Sequence, residues 1–297
     1  LKPEWDKNNV HIENYIRLPY GDVLEVAPHV KRVLAANPKP LTFRGTNTYL
    51  IGKERLAIVD PGPAMTEHVN AVIDAAQGKP IDYICVTHSH IDHSGGANEL
   101  AKLTGAKIMG NGGLFPLTPS NCIEEDYDLD FEPEHILQDG DSIEFDGFTL
   151  KAIHTPGHFP NHLCYSLEGK NILFSGDHVL GWASTVVAAP VGTMGDYLAS
   201  LDKLSQRDDH LYLPGHGPVI ANPKDVVRKL IDHRLEREQQ VVACLSEGLT
   251  KIEDIVHKLY SGLDEGLFVP ACKSVEAHIL HLEERGMLSG FKKEALA

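Results

Sequence analysis

The order of hydrophobic and polar positions divides the first half of the chain into short strands and helices. Short apolar runs typical of strands lie at 23–34, 47–51, 55–59 and 81–86. Glycine in the turn between the second and third runs predicts a β-hairpin. The segment 66–77 has apolar residues at helical spacing and ends at Gly78, which predicts a helix. A second helix is expected at 97–103, after a pair of glycines.

The second half of the chain repeats this alternation of strand-like and helical segments. Strand-like runs lie at 142–145, 148–153, 163–167, 171–174 and 211–213. A helix is expected at 196–204, between the last two runs. Two strand-rich halves with helices outside them predict two sheets packed face to face and covered by helices. Ligands are then expected at the strand ends along one edge.

The pattern becomes helical from Asn222 onward. Asn222 is a favourable N-cap and Pro223 suits the first helical position, so a helix is expected up to Glu247. The segment 250–253 has the sequence of a capping box and predicts the start of a second helix. A third helix is expected to begin at Ser274. Three helices and a short glycine-containing tail resemble a winged helix.

The length of 297 residues leaves room for one large α/β domain and an appendage. We predict a catalytic domain over 1–221 and a winged-helix-like helical domain over 222–297. An apolar fraction of 42% suits a well-buried core. The net charge of −15 argues against a broad nucleic-acid-binding surface.

The cysteines and the N-terminal segment favour a cytoplasmic protein. The five cysteines are scattered, odd in number and in no CxxC pair, which indicates a reducing compartment. The first twenty residues have no apolar stretch of the signal-peptide kind, and no segment approaches membrane-spanning length, so no membrane contact is expected. The chain begins with Leu1, so a trimmed start and a lost signal peptide stay open.

The densest group of reactive side chains follows the run at 81–86. Three histidines and an aspartate fall within six positions of the sequence Thr-His-Ser-His-Ile-Asp-His-Ser-Gly-Gly. Imidazole nitrogens and carboxylate oxygens are the usual ligands of zinc and similar ions. His88 and His90 are two positions apart, so in extended chain both rings point to one side. Asp92 and His93 follow the turn and can reach a second ion, which predicts a metal site.

Further histidine and aspartate clusters follow later strand-like runs. They are His-Thr-Pro-Gly-His at 154–158, Asn-His at 161–162, Ser-Gly-Asp-His at 175–178 and Pro-Gly-His-Gly at 214–217. With Asp60 and the first loop, these clusters resemble the metallo-β-lactamase superfamily in their order along residues 20–220. The first loop is a strong signal alone, and the order of the weaker clusters argues against coincidence.

The resemblance implies an α/β fold, the αββα sandwich, and a binuclear metal centre. The implied ligands are His88, His90 and His158 for one ion, Asp92, His93 and His216 for the second, and Asp177 as the bridge. Two zinc ions are expected, although manganese or iron would suit the same ligands. Asp60 is expected behind the site, where it would orient a ligand loop.

The same resemblance implies how the site would react. Two ions about 3.5–4 Å apart can hold a hydroxide between them and polarise the bond to be cleaved. Asp92 and Asp177 are therefore candidates for catalytic roles, and Asp92 could also accept the proton of the nucleophile. His162 is a third candidate, because it follows His158 by four positions. It could reach the substrate or the layer behind the ligands, and a hydrogen-bonded structural histidine is the equal alternative.

Other polar residues carry weaker expectations. His154 and His178 are expected to be structural. Arg44 and Asn47 could face the pocket, although a surface arginine is the safer interpretation. The C-terminal segment, with Gly-Thr-Asn-Thr-Tyr-Leu-Ile at 45–51 and a Gly-Asp-His-Val-Leu-Gly-Trp sequence, resembles the branch named for β-lactamase-like protein 2. Members of that branch carry a winged-helix-like tail, and some cleave single-stranded RNA.

The leading hypothesis is hydrolysis of a small carboxylic derivative, namely a thioester, ester or lactone. An endoribonuclease or phosphodiesterase that cleaves single-stranded RNA is the main alternative, and RNA stays open as a partner. Antibiotic hydrolysis ranks lower without an export signal, and a redox diiron role ranks lower without a flavin-binding segment. Residues 221–297 contain 11 Lys and Arg against 13 Asp and Glu, which disfavours a DNA-binding regulator. We expect that tail to complete the pocket or a homodimer contact.

Overall fold

The computed structural model describes residues 10–112 and 127–288, and two stacked β-sheets form their centre. The first sheet contains, in spatial order, β1 (Val23–Ala27), β2 (Val30–Leu34), β3 (Asn47–Gly52), β4 (Leu56–Val59), β5 (Ile81–Cys85), β6 (Lys107–Gly110) and β7 (His135–Ile136). The second sheet contains β12 (Leu211–Pro214), β11 (Ile172–Gly176), β10 (Leu163–Leu167), β9 (Phe148–His154) and β8 (Ser142–Phe145), in that order.

The space between the sheets holds one hydrophobic core. Tyr49 and Ile51 of β3 point into it and meet Tyr165 and Phe174 of the second sheet. Leu50, between the two β3 residues, points to the opposite face and packs under the outer helices. This alternation follows from the two-residue period of a strand, and it lets β3 bury both of its faces.

Eight α-helices lie within the described residues. They are α1 (Val10–Ile16), α2 (Thr66–Ala76), α3 (Ile91–Ser94), α4 (Ala97–Thr104), α5 (Met194–Ser205), α6 (Pro223–Ser246), α7 (Ile252–Leu259) and α8 (Phe268–Glu284). Val69 and Val72 of α2 cover the outer face of the first sheet. Tyr197 and Leu201 of α5 cover the outer face of the second sheet. The layers are therefore helix, sheet, sheet and helix, as the sequence resemblance implied.

The long helix α6 belongs to two cores. Val227 and Leu230 in its first half pack with α5 on the second sheet. Val241 and Leu245 in its second half pack with α7 and α8 in a separate C-terminal core. Apolar positions in both halves of this helix are thus buried, whereas Leu235 near its middle is exposed, and α6 joins the C-terminal helices to the sandwich. Among the described residues, no helix is long and apolar enough to cross a membrane.

Several helix starts differ from the sequence expectations. Asn222 precedes α6, but its side chain makes no capping hydrogen bond. Lys251 occupies the N-cap of α7 instead of the expected capping box. Helix α8 begins at Phe268, six residues before Ser274, because Pro270 lies in the first turn, where no backbone donor is needed. Helix α1 lies in a segment for which no element was expected, and its Tyr15 is buried.

Candidate metal centre

Loops at one edge of the two sheets bring all seven implied ligands together. The loop with His88, His90, Asp92 and His93 follows β5, and its last two ligands lie in the one-turn helix α3. His158, Asp177 and His216 follow β9, β11 and β12. These three strands run in the same direction, so their ends meet at one edge.

The first group of converging side chains is His88, His90 and His158. His90 Nδ1 lies 2.7 Å from His88 Nε2 and 3.2 Å from His158 Nε2. One ring nitrogen from each histidine lies within 4.8 Å of the others. Ligands of a tetrahedral zinc ion with bonds of 2.0–2.1 Å are about 3.3 Å apart. The spacing of these nitrogens therefore suits one divalent ion.

The second group is Asp92, His93 and His216. His216 Nε2 lies 3.2 Å from Asp92 Oδ2 and 3.3 Å from His93 Nε2. His93 Nε2 lies 3.5 Å from the same Asp92 oxygen. These distances match the edges of a tetrahedral ligand set as well as those of the first group do. The second group therefore has the donors and the spacing for another ion.

Asp177 lies between the two groups. Its Oδ1 is 3.4 Å from His93 Nε2, and its Oδ2 is 3.3 Å from His216 Nε2 and 3.9 Å from His158 Nε2. Oδ1 is buried and has no hydrogen-bond partner among the described residues. A buried carboxylate oxygen without a donor needs a cation beside it. The residues present therefore fit divalent ions, and Asp177 is placed where both groups can share it.

Asp60 orients the ligands from behind, as the resemblance implied. Its Oδ2 accepts a hydrogen bond from His93 Nδ1 at 2.8 Å, which turns His93 Nε2 toward the centre. The same carboxylate accepts from Thr87 N at 2.8 Å and from Thr87 Oγ1 at 2.9 Å. Asp60 thereby fixes the start of the loop that carries four ligands.

Backbone carbonyls orient two further ligands. His158 Nδ1 donates to Val186 O at 2.7 Å, and His216 Nδ1 donates to Gly45 O at 3.1 Å. In each ring a proton is thus held on Nδ1, which leaves Nε2 as the nitrogen directed at the metal positions.

Burial and the two carboxylates give the histidines opposite protonation preferences. Burial lowers the pKa of His88 well below its usual range and that of His90 to about 3, so both rings are neutral. Burial also opposes the charge of His216, but the carboxylates of Asp177 and Asp92 outweigh it and raise the pKa to about 10. The cluster thus needs positive charge beside its carboxylates. Metal binding there would release protons.

His162, a catalytic candidate with a structural role as the equal alternative, makes the contacts of a structural histidine. The side chain is fully buried, and its Nε2 accepts the Asp177 N–H at 3.1 Å. Its Nδ1 donates to Thr155 Oγ1 at 2.9 Å, so both ring nitrogens are in use. Gly176, at φ +47°, brings the backbone against the ring, and a Cβ there would lie 2.6 Å from His162 Nε2. His162 therefore holds the turn of Asp177 in this structure, and both of its ring nitrogens are used by contacts within the protein.

The weaker candidates also have structural contacts. His154 Nε2 bonds Pro160 O at 2.9 Å, as expected of a structural histidine. Arg44 donates to the carbonyls of Tyr15 and Leu18, so it holds α1 and does not enter the pocket. Asn47 donates to Pro214 O and Gly217 O, each at 2.9 Å, and so fixes the loop of His216.

Sequence reasoning missed Thr46, whose Oγ1 donates to Asp92 Oδ2 at 2.8 Å. Asn37 Nδ2 donates in turn to Thr46 Oγ1 at 3.0 Å. The contact joins residues 46 positions apart, and no local pattern marks it. The only signal was that Thr46 lies in the quoted stretch at 45–51. The segment 110–134 is rich in turn and acidic residues, which predicts a surface excursion that could rim the site, and most of it, 113–126, lies outside the described residues.

A cavity runs from the centre toward the C-terminal helices. His158 and Asp177 lie at one end, and Arg234 and Tyr260 belong to the C-terminal wall. Its apolar lining comprises Pro40, Leu41, Leu180, Trp182, Ala183, Val186, Leu267, Pro270 and Ala271. A second opening, lined by His90, Asp92 and His216, exposes the front of the centre. The C-terminal helices therefore complete the pocket.

Comparisons with known proteins agree with this architecture. Residues 41–216 match the family described as the metallo-beta-lactamase superfamily, and residues 252–289 match the beta-lactamase associated winged helix domain. The chain is 34% identical over 267 residues to the beta-lactamase-like protein 2 homolog of Caenorhabditis elegans, which covers 87% of this chain and 85% of that protein.

Two further similarities extend over most of the chain. A protein of Aspergillus chevalieri named atrochrysone carboxyl ACP thioesterase is 31% identical over 274 residues, covering 88% of this chain and 83% of its own length. The crystal structure of a beta-lactamase domain protein from Burkholderia ambifaria has a TM-score of 0.75 at 25% identity, covering 91% of this chain and 90% of the other. The chain therefore belongs to the metallo-β-lactamase superfamily, with its associated winged helix domain, and is a hydrolase.

Proposed function

We propose that the protein is a binuclear metal-dependent hydrolase of small carboxylic derivatives, with thioesters as the leading substrates ahead of esters and lactones. The observation that carries the proposal is the opening of the seven-ligand centre onto a mostly apolar cavity. Such a lining suits the acyl part of a small molecule. A relative named as a thioesterase adds support.

The seven residues form two ligand groups, one for each of two ions, and we propose that both ions are zinc. His88, His90 and His158 would hold one ion, Asp92, His93 and His216 the other, and Asp177 would serve both. When bound, such ions supply an activated water and withdraw charge from the carbonyl oxygen of the substrate. Asp60, His162 and Thr46 would keep the ligands in place through the hydrogen bonds described above.

The two carboxylates of the cavity favour a leaving group that needs no proton from them. Among the described residues, the only carboxylates that line the two openings are Asp92 and Asp177. Burial opposes their ionisation, but neighbouring His93 and His216 hold both pKa values below the usual range. Neither carboxyl group therefore carries a proton to donate at neutral pH. A thiolate leaves without one more readily than an alkoxide or an amide nitrogen does, because thiols have a pKa of about 8.5.

Charge counts against single-stranded RNA as the preferred substrate. The two openings are lined by one lysine, Lys39, and one arginine, Arg234, in the described part of the chain. An RNA-binding groove follows the phosphate backbone with several cations and stacks bases on aromatic rings. The net charge of −15 opposes the approach of RNA further.

A matched substrate panel tests the proposal. Zinc-reconstituted protein is assayed with a thioester, the oxygen ester of the same acyl group, a lactone, a β-lactam and a single-stranded RNA. We expect the highest kcat/KM with the thioester. His216→Gln should abolish this activity, whereas His154→Gln, a histidine change outside the centre, should retain it. RNA cleavage without thioester, ester or lactone hydrolysis would overturn the proposal.

A further inference from the structure

Arg234, in the first half of α6, is a buried cation without an anionic partner in the described part of the chain. The residue is 3% exposed, and its Nε is buried without a hydrogen-bond partner there. The ion pairs formed by described residues include no carboxylate within 4.0 Å of it. Glu238, one helical turn away, already forms ion pairs with His281 Nδ1 at 2.8 Å and with Arg285 at 3.1 Å. Burying an unpaired charge is costly, so such an arginine suggests an anionic partner beyond the described residues, and its place in the cavity wall favours a bound ligand.

The remaining contacts of Arg234 hold the guanidinium in place without neutralising it. One terminal nitrogen donates to the backbone carbonyl of Thr185. The guanidinium carbon lies 5.2 Å from the centre of the Tyr197 ring, at cation–π distance. A carbonyl and a ring face attract a cation, but neither carries a full negative charge.

The position of Arg234 links it to the metal centre. It lines the same cavity as His158 and Asp177. The Thr185 side chain is 3.2 Å from His158 Nδ1, so a single residue separates the guanidinium from a proposed metal ligand. An acyl chain that extends from the centre along this cavity would therefore meet the arginine in its wall.

We propose that Arg234 forms an anion subsite and that the preferred substrate is a thioester whose short acyl chain ends in a carboxylate. The inference rests on the proposed thioesterase function and names the substrate class of the same site. The planar guanidinium binds a carboxylate strongly in a cavity of low polarity. A phosphate offers the same charge chemistry, but a single cation in a mostly apolar lining favours a singly charged carboxylate.

Paired substrates test the subsite. Succinyl and butyryl thioesters of one thiol differ mainly in the terminal charge. The wild-type protein should prefer the succinyl compound by about 10- to 100-fold in kcat/KM, the range for one hydrogen-bonded charge. Arg234→Gln should lose that preference, so that the ratio of succinyl to butyryl kcat/KM falls to about 1. Arg237→Gln is the matched control, because Arg237 lies on the same helix, stacks on Tyr260 and does not line the cavity.

Several outcomes would overturn the inference. A wild-type protein that hydrolyses both thioesters equally has no such subsite. Equal loss of both activities in Arg234→Gln, with the substrate ratio kept, would make the residue a positioning residue that acts through Thr185. The ratio of succinyl to butyryl kcat/KM in the wild-type protein can refute the inference by itself, even if Arg234→Gln folds poorly.

A binding measurement separates this inference from the thioesterase proposal. Calorimetric titration of the metal-free protein with succinate should show binding that Arg234→Gln removes and Arg237→Gln retains. If no thioester is hydrolysed but this pattern holds, the hydrolase substrate is wrong and the subsite stands. No succinate binding to the metal-free protein overturns the subsite. Tighter, Arg234-dependent binding of inorganic phosphate would overturn the assignment to a carboxylate.

Discussion

Replacing His162 with alanine tests whether this histidine positions the Asp177 turn or takes part in the reaction. The change would leave the buried Asp177 N–H without its partner, at a cost of about 1–3 kcal/mol. Thr155 Oγ1 keeps a second partner in Cys164 Sγ at 3.3 Å, so the loss on that side is smaller. With the lost packing of the ring included, we expect the free energy of unfolding to fall by about 2–4 kcal/mol.

The assay combines urea denaturation of the metal-free protein with zinc competition and steady-state kinetics. A displaced Asp177 should weaken zinc binding by about 10- to 100-fold, as is usual when a residue behind a ligand is removed. At saturating zinc, kcat should stay within a few-fold of the wild type. His154→Ala is the control, because the side chain of this half-buried histidine makes one hydrogen bond to the described residues, to Pro160 O, and its loss should cost only about 1 kcal/mol.

The opposite pattern would refute the positioning role. A proton-transferring side chain contributes about 10²- to 10⁴-fold to the rate. If His162→Ala lost that much in kcat while its stability and zinc affinity matched the wild type, the histidine would act on the substrate. The hydrogen bonds seen here would then not describe the reacting state.

Three further predictions concern the metal centre and the C-terminal helices. Reconstitution in excess zinc should give two ions per chain, and finding one ion at most would contradict the binuclear assignment. Asp177→Ala should lose nearly all hydrolysis with an unchanged circular dichroism spectrum, and wild-type turnover in this variant would contradict the shared-ligand assignment. The pKa of His216 is raised to about 10 in the folded metal-free protein, so its stabilising protonation is complete below about pH 6.5 and is lost as the pH rises toward 10. The free energy of unfolding should therefore decline over that window, and a His216→Gln variant with the same decline would assign it elsewhere. Removing residues 223–297 exposes the apolar surface that α6 covers on the second sheet, so light scattering should show aggregation, and a truncated core with unchanged solubility and kinetics would refute this.

The sequence alone determined features that depend on neighbouring residues. The two-residue period of β3 sent Tyr49 and Leu50 to opposite faces, and the same spacing brought His88 and His90 to one side. Because a strand end fixes the direction of the chain that follows, the ligand clusters could be expected at one edge. The order of these clusters carried the family resemblance, which implied the seven ligands and agreed with the two sheets expected from the strand pattern. Local signals failed at helix starts, where α8 began six residues before the expected Ser274.

Only the tertiary structure decided the roles that depend on distant contacts. His162 was equally compatible with binding substrate, and only the fold placed the Asp177 N–H, 15 positions away, against its Nε2. In the sequence, Arg234 is one of several charged residues on the helix expected at 223–247, and nothing distinguishes it from a solvent-exposed arginine. Packing of α6 against the sandwich buried it beside the metal centre, among residues as far away as Leu41 and Ala271. Helical periodicity predicts that a face is buried, but the burial of a charge and the identity of its neighbours depend on which surfaces meet.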